Sequence, residues 1–331
     1  HSLWYFIAEN FGKSTVSNLL YLTRINRSVE SGFLYVLGSS YDALLVSWFN
    51  YYKQRYKGEN QERVMPVANV QVKNRRNLPM SEIRLSPDGR KIAYALNEIG
   101  RFSIYLQDVQ TGKRERIMKE GFRNPFQETD YNYPLLSWNS NGQELAIMYE
   151  RRDIPKLIIY TLSNKRFKTE DLSTQFQRVH SMDYVNPNTL VFSATVRGFS
   201  DIYLYYLNTR QSERLTNDFY DDLDAVAVNV RNRRGILFAS NRTDSIINPL
   251  TASSMDTILP INKFDIYYFN LETKNRELVR VTNTPFADER QPMPVDTTYF
   301  TYLSNRSGIV NREAGYLEDY LHHYDQVIVL K

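Results

Sequence analysis

Cysteine is absent from the 331 residues. That removes disulfide scaffolds, thiol nucleophiles and thiolate metal sites from consideration. Histidine is scarce, with only His1, His180, His322 and His323. No two stand four apart, so the helical His-Glu-x-x-His arrangement of zinc peptidases is missing. A Gly-x-Ser-x-Gly nucleophile turn and a glycine-rich phosphate loop are missing as well. No run approaches the roughly 20 apolar residues that cross a bilayer as a helix. The 41 basic and 37 acidic residues are scattered in sign, with no long basic run, which argues against nucleic acid as a ligand. No targeting segment is present. His1-Ser2-Leu3-Trp4-Tyr5 already lies inside an amphipathic pattern, so we expect an internal piece of a longer protein.

Aromatic residues, by contrast, are abundant: 25 Tyr and 17 Phe. These residue types favour half-buried strands and point to a β-rich chain.

Residues 1–57 nevertheless carry a helical period. Leu3, Phe6, Ile7 and Phe11 share one face and stop at Gly12. Ser14 is placed to cap a second helix bearing Val16, Leu19, Leu20 and Ile25. After the apolar run Phe33–Leu37, Gly38-Ser39-Ser40 predicts a stop and a new cap. Tyr41, Leu44, Leu45, Trp48, Phe49 and Tyr52 then stack along a further helix. Residues 58–80 are polar and read as a linker, with one strand expected at Val67–Val72.

Over 81–331 the period becomes 2. A short strand, a polar turn, an apolar strand and an aromatic-rich strand recur five times, near 81–118, 133–171, 179–217, 224–283 and from Arg290 onward. Four-stranded units at a repeating interval predict a β-propeller, because each blade is a sheet whose faces its neighbours cover. In the fourth unit Thr243–Lys263 is an insertion, and Gly315–His323 reads as another. Five blades leave a strand edge open, which folded proteins avoid. A sixth blade beyond Lys331 is the expected closure, with Val67–Val72 supplying part of a blade as the alternative.

The repeats carry a recognisable pattern. Ser86-Pro87-Asp88-Gly89, Asp201-Ile202-Tyr203, Asp265-Ile266-Tyr267, Arg214-Leu215-Thr216-Asn217 and Ser304-Asn305-Arg306-Ser307-Gly308 together resemble the TolB-type, WD40-like propeller repeat. That repeat also builds the propellers of prolyl oligopeptidase-type enzymes. Phe6-Ile7-Ala8-Glu9-Asn10-Phe11-Gly12 and Gly38-Ser39-Ser40-Tyr41-Asp42-Ala43-Leu44 resemble the last helices of peptidase-MA-like (gluzincin) domains, without any zinc ligand. The combination is similar to large envelope proteins of Bacteroidota-type bacteria. The resemblance implies a place in the periplasm or on the outer membrane, among other proteins of an envelope complex.

No catalytic, cofactor or metal residue is assigned, and no small-molecule ligand is indicated. The expected role is non-catalytic protein binding or scaffolding. The alternatives are an accessory propeller of a zinc metallopeptidase with its active site upstream, or the regulatory propeller of a prolyl-oligopeptidase-like serine peptidase. Loops joining second to third strands hold Arg101, Arg151, Arg152, Arg197, Arg242 and Arg306 on one face. One reading has Arg101, Arg197 and Arg242, with Phe102 and Phe199 beside them, binding an acidic protein segment. The other pairs these arginines with acidic interblade loops, including Asp130, Asp218, Asp222 and Asp288. The Thr243–Lys263 insertion, with Ile247, Leu250 and Ile258, is expected to be an interaction element, or else to dock on its own propeller.

Overall fold

The computed structural model describes residues 1–58, 70–126, 128–230, 233–248, 263–322 and 325–329. They fall into two compact units, 1–69 and 70–331.

The first unit is helical: α1 (Ser2–Phe11), α2 (Lys13–Asn26), α3 (Val29–Leu37) and α4 (Tyr41–Arg55). Phe6, Ile7, Leu19, Phe33 and Leu44 form its buried core. The Ser40 side chain accepts from the Ala43 N–H at 3.3 Å, and Gly38 ends α3 in the left-handed region. Ser14 does not cap α2. Gly12 turns the chain at φ 90 and the helix begins at Lys13, which places Ser14 inside the first turn. Gly32 lets α2 and α3 approach closely, since a Cβ there would lie 2.9 Å from the Thr23 backbone nitrogen.

The second unit is a five-bladed propeller. Blade one contains β1 (Met80–Leu85), β2 (Lys91–Glu98), β3 (Arg101–Asp108) and β4 (Arg114–Glu120); blade two contains β5 (Leu135–Trp138), β6 (Glu144–Arg151), β7 (Ile154–Thr161) and β8 (Arg166–Asp171). Blade three contains β9 (Arg178–Asn186), β10 (Thr189–Val196), β11 (Phe199–Tyr206) and β12 (Gln211–Arg214). Blade four contains β13 (Asp222–Val230), β14 (Arg233–Ser240), β15 (Asp265–Asn270) and β16 (Val279–Arg280). Blade five has three strands, β17 (Glu289–Pro294), β18 (Tyr299–Ser304) and β19 (Asn311–Tyr316). Beyond it β20 (Glu318–His322) pairs with β21 (Asp325–Val329). The stretch read as an insertion from Gly315 therefore holds the end of β19 and all of β20. Glu318-Asp319-Tyr320-Leu321-His322 shows no alternation of apolar and polar residues that would announce a strand.

The core lies between blades. Ala93, Ile104, Leu136, Ile147 and Trp138 join blades one and two, and Leu237, Ile266, Tyr268 and Phe300 join blades four and five. Second strands are buried on both faces, so β2, β6, β10 and β14 read as near-continuous apolar runs. Residues 70–79 lie with this unit: the Gln107 side chain bonds Gln71 and Lys73, and Val72 packs beside Tyr94. Val70–Val72 are not strand, and 67–69 fall outside the described residues.

The Asp-Ile-Tyr and Arg-x-Thr segments tie outer strands to inner ones. Arg214 Nη2 reaches Asp201 at 2.5 Å, and the Thr216 hydroxyl accepts from the Ile202 N–H at 2.9 Å. Arg280, Asp265, Thr282 and Ile266 repeat the arrangement in blade four. Blade two reverses the charges: Lys156 on β7 meets Asp171 on β8 at 2.5 Å.

Candidate binding channel and loop-face cleft

The innermost strands enclose a channel of about 550 Å³, lined from β1, β5, β9, β13, β17 and β19. Four of these strands carry a register break, and a polar residue sits at each. Glu82 stands out of register on β1, His180 on β9, Asp224 on β13 and Gln291 on β17. Glu82, Asp224 and Gln291 hold φ near +50, the strained setting by which a bulge re-aims its side chain. All four line the channel.

Charge in the channel is partly matched. Arg84 Nε lies 2.9 Å from Glu82 and donates to the Leu136 carbonyl at 3.0 Å. Arg290 Nε donates to Asp224 at 2.6 Å, and the Arg290 guanidinium covers the Phe264 ring. Asp183 accepts from the Ser137 hydroxyl and the Ala227 N–H. Burial pushes the Asp183 and Glu82 carboxyls above the usual range, while Arg84 works against it in both. Burial, then the Arg178 charge, lowers His180, so the imidazole favours its neutral form. Its Nε2 lies 2.7 Å from the Thr195 hydroxyl.

A second cavity, of about 870 Å³, opens on the face that gathers the β2–β3, β6–β7 and β4–β5 loops. Gly121 brings two of these loops together. It sits at φ 81, and a Cβ there would lie 2.3 Å from the Gly100 carbonyl oxygen. Arg178 lines both cavities and pairs with Asp130. Phe122 and Phe126 project from the cleft's rim at 87% and 98% exposure.

The arginines expected on this face divide into two groups. Arg242 is 1% exposed and held by Asp218 and Asp222, so it cannot act as a contact for an external segment. Arg101 is drawn to Glu98, which also takes Arg76 at 2.5 Å and is held down to about 2. Arg306 pairs with Glu313 at 3.2 Å. Arg151, Arg152 and Arg197 are exposed and make no ion pair among the described residues.

Phe102, expected beside Arg101 as an anchor, is buried between blades one and two; Phe199 is half-buried against Phe219. Ile247 is also buried, in the core of blades three and four, and its N–H donates to Arg276 at 2.8 Å. The start of the insertion therefore docks on its own propeller. Leu250 and Ile258 fall outside the described residues.

Asp201, Asp218 and Asp222 bring carboxylate oxygens within 4.8 Å of one another, all buried. Arg214 and Arg242 supply the opposing charge. Three acids against two cations leave one negative charge in excess. Burial with the Asp222 charge raises Asp201 to about 7 and Asp218 to about 6, against the pull of Arg214 and Arg242. The geometry is that of an internal strut.

No family model matches the chain. Over 139 residues it is 30% identical to the Tol-Pal system protein TolB of Alcanivorax borkumensis, a match spanning 41% of this chain and 27% of that protein. The solved structure of a putative TolB from Agrobacterium tumefaciens has a TM-score of 0.52 at 13% identity, covering 73% of this chain and 77% of that one. TolB from Acinetobacter baumannii has a TM-score of 0.49 at 16% identity, over 76% of this chain and 57% of that one. The propeller unit has a TolB-like β-propeller fold.

Proposed function

We propose that the protein is a non-catalytic, protein-binding propeller within a cell-envelope assembly, in the periplasm or at the periplasmic face of the outer membrane. One observation carries the reading: the two ends of the propeller differ. Loops on the cleft face expose Ile99, Phe122, Phe126, Phe286, Ile309 and Val310, and the same face carries Arg151, Arg152 and Arg197, which make no ion pair among the described residues. The turn loops at the opposite end expose only Val295 among large apolar side chains of the described residues. Exposed aromatics beside arginine are the composition of interface anchors. The TolB-like fold supports an envelope role. The test places photo-cross-linking residues at 152, 197 and, on the turn face, 141, in the natural protein in its own cells. One protein adduct shared by 152 and 197 and missing at 141 is expected. Equal adducts from both faces, or none from either, would end the proposal.

The helical unit favours a second reading, in which it closes a peptidase-MA-like fold and the propeller serves a zinc site elsewhere in a longer protein. Zinc content and peptidase activity of the whole natural protein decide between them.

A further inference from the structure

We propose that the wall of the channel between blades one and five is an oxyanion-binding site, where Arg84, Arg290 and Arg312 grip a carboxylate or a phosphate group. This inference does not depend on the loop-face reading, since none of the three arginines lies on that face's loops.

The warrant is how these side chains are held. Arg84 spends only Nε, on Glu82 and the Leu136 carbonyl. Arg290 likewise spends Nε, on Asp224. In both, a bulge residue fixes the near edge of the guanidinium and leaves the terminal nitrogens without a hydrogen-bond partner among the described residues. Those nitrogens form the fork that takes an oxyanion through two parallel bonds. Arg312 arrives from β19 and donates to the Thr301 hydroxyl at 3.2 Å, with no carboxylate partner among the described residues.

Like charges are not gathered without a cost. Partial burial and the nearby Arg84 charge both lower Arg312. An anion placed between them turns that repulsion into attraction. The Ser81 hydroxyl, on the β1 side of the channel, is buried and lacks a partner among the described residues. It can donate to a bound oxygen. Acidic groups of the channel do not compete for the site, since Glu82 and Asp224 already serve the Nε atoms and Asp183 is held by Ser137 and Ala227. Neutral His180 adds no negative charge.

Two sources share this chemistry, an acidic peptide segment and a free phosphate. The experiment uses the full chain at constant ionic strength and follows its melting temperature with inorganic phosphate, with a tetra-aspartate peptide and with sodium chloride as control. A saturable rise of roughly 2–4 °C is expected with at least one oxyanion and not with chloride. A response to the peptide alone assigns a protein segment, and a response to phosphate assigns a small anion or phosphoryl group. Arg312→Gln, on an exposed side chain, should weaken the response at least tenfold, and Arg84→Gln should do the same. Arg306→Gln, outside the channel, should leave it unchanged. No response to either probe, or one that survives both Arg312→Gln and Arg84→Gln, overturns the proposal. Such a failure leaves the cross-linking result at 152 and 197 untouched, so the two readings fail separately.

Discussion

Arg242 Nη2 lies 2.8 Å from both carboxylate oxygens of Asp222, and neither side chain touches solvent. The same guanidinium reaches Asp218 at 3.1 Å and faces the rings of Tyr220, Phe238 and Tyr267. Arg242→Ala strands two buried carboxylates and should cost about 3–5 kcal/mol in urea unfolding. An unchanged urea midpoint would contradict the strut assignment.

The strut cluster sets a pH dependence. Asp201 and Asp218 are raised from an ordinary 3.8 to about 7 and about 6, so the folded state holds their protons more tightly than the unfolded chain. Their contribution to stability is full below about pH 4 and is lost as pH rises through about 6 to 7. Glu98 and Asp171 are shifted the other way and act only below about pH 4. Urea resistance should therefore be greater at about pH 5.5 than at about pH 8, and Asp201→Asn should flatten the difference. A midpoint that rises across that interval would refute the assignment.

Ile247 separates docking from display. Its side chain is enclosed by blades three and four, so Ile247→Ala should cost about 2–5 kcal/mol. Ile246, its exposed neighbour, should tolerate the same change within about 0.5 kcal/mol. Equal effects at the two positions would mean that the segment does not dock as described.

Arg151, Arg152 and Arg197 make the opposite case to Arg242. Replacing all three with Ala should leave the melting temperature within about 2 °C of the parent, because exposed changes away from any network cost little. The shared cross-link expected from the cleft face should then weaken, measured from a probe placed at 122. A large fall in melting temperature with the cross-link intact would make them structural.

Much of the fold was legible because it rests on local signals. Gly38 and Ser40 mark a helix stop and start through backbone geometry, and Ser86-Pro87-Asp88-Gly89 spells its turn. The Ser86 hydroxyl bonds Asp88 at 2.6 Å, and Gly89 takes φ 70. The channel was not legible. Glu82, His180, Asp224 and Gln291 look like ordinary polar positions of a strand until the register slips by one, and a slip depends on the partner strand. Arg242 was left between two readings. It follows the end of β14 like other loop arginines, and the folded ring decides for the pairing with Asp218 and Asp222. One signal was available: an acidic pair four apart in one interblade loop, which no other blade offers.

The reversed pair in blade two bears on assembly errors. Sheets with similar third and fourth strands invite the exchange of one unit's strand for its neighbour's, a failure typical of repeat chains. Setting β11 against β8 would bring Asp201 opposite Asp171, and setting β7 against β12 would bring Lys156 beside Arg214. Each error juxtaposes like charges, whereas the native pairings bring Lys156 to Asp171 and Arg214 to Asp201. The reversed sign of blade two relative to blade three thus marks the outer strand of each against exchange with the other's.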